Sequence, residues 1–243
     1  MGSLFASKWI VAHIVVAVVA ILFINLGFWQ LRRLDERQLE NAVGEARYLA
    51  EPAEVRSLVV AAAQDTDSLQ YRSGLAEGEY RTEDEVLIRS QVFRAEAGFH
   101  VITPLLLEDG TAVLVNRGWI PLVLDQVPVT DAPPEEDRLV VEGWIDLTEE
   151  RGALSPTDPS DGRLVVLNRV DIERIQQQVP YQLLPVYLNP VTERDLGLPV
   201  TVAPPMFDDE GPHLGYAIQW FSFALIGVIG YFVLMRRAVQ RSH

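Results

Sequence analysis

The sequence predicts a membrane α+β protein in which two transmembrane helices flank a mostly antiparallel β-rich extracytoplasmic domain with short helices. Three observations predict it. Apolar runs extend from Trp9 to Trp29 and from Tyr216 to Met235, and each, at about 20 residues and about 1.5 Å per residue, matches a hydrocarbon core of about 30 Å. All 34 Asp and Glu residues lie between these runs. From Tyr71 to Leu188 the chain breaks into short β-branched or aromatic stretches separated by turn residues.

The first run is longer than the apolar core of a signal peptide and lacks a small-x-small cleavage site before Arg32, so it reads as a retained anchor. The expected divisions are 1–8 as a cytoplasmic N-terminus, 9–31 as the first span, 32–212 as the outer domain, 213–235 as the second span and 236–243 as a cytoplasmic tail. Two spans put both termini on one side, and Arg236, Arg237 and Arg241 after the second favour the cytoplasm. Arg32, Arg33 and Arg37 after the first span pull the other way. Asp35 and Glu36 lie among them, and long loops translocate largely regardless of charge, so they are outweighed.

The segment from Arg32 to Pro212 holds all the acidic residues but only 16 of the 20 basic ones, a formal charge of about −18. Such a domain repels nucleic acid and anionic lipid and suits a protein or an uncharged ligand. With no cysteine in the chain, disulfides and thiolate metal or redox chemistry are excluded. Arg outnumbers Lys 19 to 1 in a chain rich in Ala and Val, which points to a GC-rich bacterial source and hence the bacterial plasma membrane.

Leu31 to Ala50 lacks proline and is expected to carry the first helix beyond the bilayer, with Pro52 ending it and Glu54–Gln64 forming a short amphipathic helix. Strands follow at Tyr71–Arg81, Glu85–Phe93, Phe99–Leu107, Ala112–Ile120, Arg138–Leu147, Arg163–Val170 and Pro185–Leu188, with a short helix at Asp171–Gln178. Gly98 divides the second strand from the third, and Glu108-Asp109-Gly110-Thr111 marks a hairpin. A small barrel or curled sheet is the economical outcome. Asp125–Asp137 and Ser155–Gly162 read as surface loops, and Leu198–Pro212, with four prolines, as a stiff tether into the second anchor.

Four histidines are available for chemistry. His213 opens the second span, where a neutral imidazole can ligate an iron, or where it joins Tyr216 and Trp220 in an interfacial aromatic belt. His13 lies inside the first run, where a polar side chain faces a partner helix or a polar cavity; it lies too far from His213 in membrane depth for both to hold one iron. His100 reads as a satisfied strand histidine and His243 as solvated. Gln30 after Trp29, and Gln219 before Trp220, are amides able to bond across the helix pair or to a third subunit, with Gly27, Gly227 and Gly230 permitting close approach. No Gly-x-Ser-x-Gly, His-Glu-x-x-His, P-loop or dinucleotide fingerprint occurs, and the scattered carboxylates read as a solvated face, so enzyme activity has no support.

Three segments carry a resemblance: Leu26-Gly27-Phe28-Trp29-Gln30-Leu31-x-Arg33, Val113 to Pro121 through Asn116-Arg117-Gly118-Trp119, and His213-Leu214-Gly215-Tyr216-Ala217-x-x-Trp220-Phe221. In this order, and between two spans, they resemble the Surfeit-locus-1 family of cytochrome c oxidase assembly factors. The resemblance implies a non-enzymatic factor that binds haem a and assists its insertion into the catalytic subunit of an aa3-type haem-copper oxidase, with haem a synthase as a further partner. His213 matches the family's proposed haem-ligating histidine; Gln219 departs from the Thr of many relatives. Asn116–Trp119 is either a structural strand end, with Gly118 relieving the backbone and Trp119 capping the core, or the place where Arg117 meets a partner or a haem propionate. The alternative function is a stably bound accessory subunit of the oxidase, or of a respiratory supercomplex, that never carries haem.

Overall fold

The computed structural model describes residues 7–63, 65–134, 138–149, 152, 156–191 and 197–240. His243, Lys8 beyond its backbone, Arg241 and the Glu-Glu-Asp run 135–137 lie outside the described residues. The chain divides into two units, Met1–Val43 with Met206–His243, and Gly44–Pro205.

The first unit is a pair of helices. α1 (Ser7–Tyr48) and α4 (His213–Gln240) are both long and apolar enough to cross a membrane. α1 runs unbroken past the apolar stretch, so residues 32–43 continue the helix in this unit. The helices are antiparallel: Phe23 meets Trp220 and Phe223 with ring centroids 5.5 and 5.9 Å apart, and Phe28 meets Phe221 at 5.3 Å. Gly27 makes the approach possible, since a Cβ there would stand 2.6 Å from the Phe221 ring. Buried Ala217 and Ala224 continue the small-residue seam seven positions apart. Gly227 and Gly230, expected to permit close approach, meet nothing within 4 Å. They face away from α1.

The second unit is the expected sheet domain. It is built from β1 (Ala53–Glu54), α2 (Val55–Ala62), β2 (Ser73–Tyr80), β3 (Val86–Phe93), β4 (Glu96–Leu107), β5 (Ala112–Pro121), β6 (Arg138–Leu147), β7 (Val166–Leu167), α3 (Ile172–Gln176) and β8 (Leu183–Pro190). Strand order is β1-β2-β6-β8-β5-β4-β3-β7, and an additional β2–β4 pairing closes β2, β6, β8, β5 and β4 into a barrel. Among the described strands, β1–β2, β3–β7 and β5–β8 are the parallel pairs. The barrel connectivity is that of a five-stranded Greek key of the OB type. β5 is its centre. Val113 and Val115 point into a core with Leu105, Ile145, Val186 and Leu188, closed by Val55 at the start of α2, whereas Ala112 and Leu114 pack with Ile88, Ile102, Leu167 and Ile175. Alternate side chains thus fill opposite faces, which is why this strand is apolar without interruption. Each fully buried Leu or Ile contributes about 1.5–3 kcal/mol.

Three sequence expectations are corrected. The β3–β4 turn falls at Arg94 and Ala95, whose φ angles are 49° and 65°, and Gly98 lies inside β4. Gly98 is needed there for space, because a Cβ would collide with Ile120 O and the Trp119 indole. The strand expected at Arg163–Val170 shrinks to β7. Its flanking amides are taken by side chains, Leu164 N by Gln178 Oε1 and Asn168 N by Asp158 at 3.1 Å, so no ladder extends. The tether after Leu198 is docked on β5, with Trp119 N to Val200 O at 2.7 Å and Val200 N to Trp119 O at 2.8 Å.

Candidate functional site

His213 is the first residue of α4, and Gln30 is a buried amide on α1, 8% exposed. Antiparallel packing sets them side by side, with His213 Nδ1 and Gln30 Oε1 2.9 Å apart. An amide oxygen only accepts, so a neutral imidazole bonded to it carries its proton on Nδ1 and its lone pair on Nε2. A histidine oriented by a bond at one nitrogen and free at the other is the arrangement that metal ligation requires.

The turn leading into His213 is held by the extension of α1. Arg37 Nε donates to Asp209 O at 3.4 Å, Asn41 Nδ2 to the same oxygen at 3.0 Å, and Gln38 Nε2 to Glu210 Oε1 at 2.8 Å. Gly211 follows at φ 69°, with its N–H donating to Asp209 Oδ1 at 2.9 Å. A Cβ on Gly211 would stand 3.5 Å from His213 Nε2. Glycine therefore satisfies the left-handed turn and keeps the flank of the unprotonated nitrogen clear.

The other residues marked on the two helices separate by environment. Trp29 and Tyr216 are each 47% exposed, Gln219 is exposed, and Trp220 is half-buried against Phe23. Arg33 makes an exposed ion pair with Glu36 at 2.7 Å, a type of contact that contributes little. His13 Nδ1 shares a 2.5 Å hydrogen bond with Tyr231 OH, and the rings meet edge to face at 5.6 Å. Tyr231 lies about 27 Å along α4 from His213 at about 1.5 Å per residue, so His13 and His213 do not meet on one iron.

In the β unit, Asn116, Arg117, Gly118 and Trp119 sit on β5 around a bulge between Val101 and Ile102 of the neighbouring strand. Arg117 Nη1 pairs with Glu85 Oε1 at 2.7 Å, the two side chains 4% and 1% exposed, and Arg117 Nη2 donates to Ala132 O. Thr103 Oγ1 and Val129 N donate to the same carboxylate at 3.0 and 2.9 Å. Every oxygen of this buried charge is engaged, the condition under which such a pair is tolerated. Asn116 Oδ1 accepts from Gly118 N at 3.2 Å, which turns its Nδ2 towards Asn189 Oδ1 at 2.9 Å and His100 Nδ1 at 3.3 Å. Gly118 packs on Val200, where a Cβ would clash. Trp119 is 6% exposed and meets Phe93 with ring centroids 5.5 Å apart and planes tilted by 44°.

Sequence reading missed Glu85 and Asn189 as partners of this strand. The available signal was the last carboxylate of Glu83-Asp84-Glu85, directly before the apolar run Val86-Leu87-Ile88, with one arginine in the apolar β5 to answer it.

Comparison with known proteins follows the same landmarks. The SURF1 family profile matches residues 17–225. An uncharacterized SURF1-like protein of Mycobacterium tuberculosis is 28% identical over 234 residues, 95% of this chain and 84% of that one. A SURF1-like protein of Rickettsia felis is 25% identical over 234 residues, 94% of this chain and 98% of its own length. One from Dictyostelium discoideum is 26% identical over 107 residues, 42% of this chain and 40% of that one. Because the profile match starts within α1, ends within α4 and spans the whole barrel between them, the chain belongs to the SURF1 family.

Proposed function

We propose that this protein is a non-catalytic assembly factor for an aa3-type haem-copper cytochrome c oxidase, taking haem a on His213 and assisting its insertion into the oxidase's catalytic subunit. Haem a is cargo here, received from the membrane where haem a synthase works. The protein crosses the bacterial plasma membrane twice, with both termini cytoplasmic and the barrel extracytoplasmic, in keeping with the basic cluster after α4.

The observation that carries this reading is the Gln30–His213 pair. It leaves Nε2 as the only ligating atom of that side chain, and Gly211 leaves room beside it. Among the described residues no group of three His, Asp or Glu side chains converges on a metal. A single histidine at the end of an apolar helix pair suits a hydrophobic porphyrin that has to leave again, since one ligand is readily exchanged.

The test is the visible spectrum and pyridine haemochrome of the full chain, purified in mild detergent from cells making haem a, beside His213→Ala. A haem a band in the wild type that disappears in the variant supports the carrier. A colourless wild type that copurifies in fixed ratio with mature oxidase replaces it with the accessory-subunit reading.

A further inference from the structure

A recess of about 250 Å³ opens in the β unit at the end of the barrel where β6 and β8 finish their pairing, and it takes no part in the site on the helices. Its walls carry three aromatic rings, Tyr71, Trp144 and Tyr187, and two carboxylates, Asp146 and, at the rim, Glu149. Among the described residues, no lysine or arginine lines it.

The residues that form the walls are fixed. Trp144 and Tyr187 are 4% and 5% exposed, and Tyr48 braces Trp144 with ring centroids 6.2 Å apart. Tyr71 has φ 66° and is locked by its N–H to Ile145 O at 2.8 Å. A bulky residue in the left-handed region is uncommon and is retained only where surrounding structure holds it. On the opposite wall, Asn116 donates to His100 Nδ1 at 3.3 Å, so the imidazole proton is on Nε2. That N–H has no protein partner among the described residues.

Aromatic rings beside carboxylates, with no lysine or arginine among the described lining residues, make a favourable environment for an organic cation. Burial is the main cause that raises the pKa of Glu149 and of Tyr187, and the Asp146 carboxylate adds to both. That added part is a negative potential that a bound cation relieves. Arg169, outside the lining, offsets part of the charge on Glu149; its Nη2 pairs with Asp171 at 3.2 Å, while its Nε and Nη1 are buried without a hydrogen-bond partner. The volume is below the about 300 Å³ at which pockets for drug-sized ligands begin, which suits one head group.

We propose that this recess binds a single ammonium or guanidinium group, held by the Tyr71, Trp144 and Tyr187 rings and the Asp146 and Glu149 carboxylates. The cation has two sources, a free small amine or guanidine, or a lysine or arginine side chain of another protein.

The test is NMR of the full chain in detergent micelles, following the indole N–H signals of its five tryptophans. Methylguanidinium, ethylammonium and capped Ala-Arg-Ala and Ala-Lys-Ala peptides are titrated at constant ionic strength. A saturable shift confined to the Trp144 signal, weakened at least tenfold in both Glu149→Gln and Asp146→Asn, supports the site. Tighter binding of a peptide than of its free ion assigns the source to a protein side chain, and the reverse to a free cation. No saturable shift with any probe, or equal shifts in the variants, overturns the proposal. Glu149 lies at the rim and is exposed, so its variant tests the site without threatening the core. Haem content of the same variants is read separately, which keeps this outcome distinct from that of the His213 test.

Discussion

Gln30 and His213 are 183 positions apart in sequence and 2.9 Å apart in the folded helix pair, amide oxygen to Nδ1. The bond sets which ring nitrogen carries the proton, so replacing Gln30 changes the chemistry of His213 without touching it. In Gln30→Leu the imidazole is expected to lose its fixed Nδ1–H tautomer, and haem affinity to fall about 10–100-fold, the usual effect of removing the partner that orients a metal-ligating histidine. Gln30→Glu retains an acceptor and should keep the tautomer. Nitrogen-15 shifts of the imidazole in micelles decide the first point with no haem present. An unchanged tautomer in Gln30→Leu means that the amide does not control it.

Gly27 and Gly227 make a controlled comparison within one membrane unit. A side chain at 27 meets the Phe221 ring at 2.6 Å, whereas one at 227 meets nothing within 4 Å. Gly27→Val should destabilise the helix pair by about 1–3 kcal/mol, the usual cost of overpacking. Gly227→Val should change it by less than about 0.5 kcal/mol. Thermal unfolding in detergent, read from the helical signal, compares the two. Equal losses would show that the contact at Phe221 is not what limits the approach.

The features legible in the sequence were those written locally. Hydropathy gave α1 and α4, the absence of proline carried α1 beyond the bilayer to Tyr48, and Asp109-Gly110 marked the β4–β5 hairpin. Other features depend on what arrives from far along the chain. Arg94 and Ala95 take positive φ angles that neither residue signals, while Gly98, which does look like a turn residue, is there to admit Trp119. The barrel closure rests on β2 meeting β4, with Gly78 opposite Leu107 and Tyr80 opposite Leu105. At the candidate site, His213 and Gln30 were each conspicuous as polar groups in apolar surroundings. Their bond to each other was not legible, because it follows from the register of two helices separated by an entire domain.

Arg117 and Glu85 form a buried pair whose halves are unequal to their sum. Removing either partner strands a charge in the core, with side-chain exposures of 4% and 1%, and should cost about 3–5 kcal/mol. Arg117→Met with Glu85→Leu removes both charges and leaves only neutral groups unpaired, the Val129 N–H, the Thr103 hydroxyl and the Ala132 carbonyl, each at about 1–3 kcal/mol. The double variant is therefore expected to be more stable than either single one. Denaturant unfolding of the four proteins, followed by tryptophan fluorescence, gives the coupling. Additive losses would mean that the two charges do not depend on each other.

His100 should give the β unit an acid-side weakness of defined width. Burial lowers its pKa from 6.5 to about 4. The unfolded chain therefore takes up a proton below about pH 6.5, and the folded chain does so only below about pH 4. In that window the unfolded state holds more protons, so stability falls as pH falls, by about 3 kcal/mol in total at about 1.4 kcal/mol per unit. Glu149 acts in the opposite sense, because its raised pKa makes the folded state the better proton acceptor as pH drops below it. The two effects overlap, and the net slope of the wild type alone does not separate them. His100→Gln keeps an acceptor for Asn116 and removes only the histidine titration. The difference between wild-type and variant unfolding free energies, measured from pH 7 to pH 4, should then narrow steadily by about 3 kcal/mol in the variant's favour. A difference that stays constant across this range would show that His100 is protonated as easily in the fold as in water.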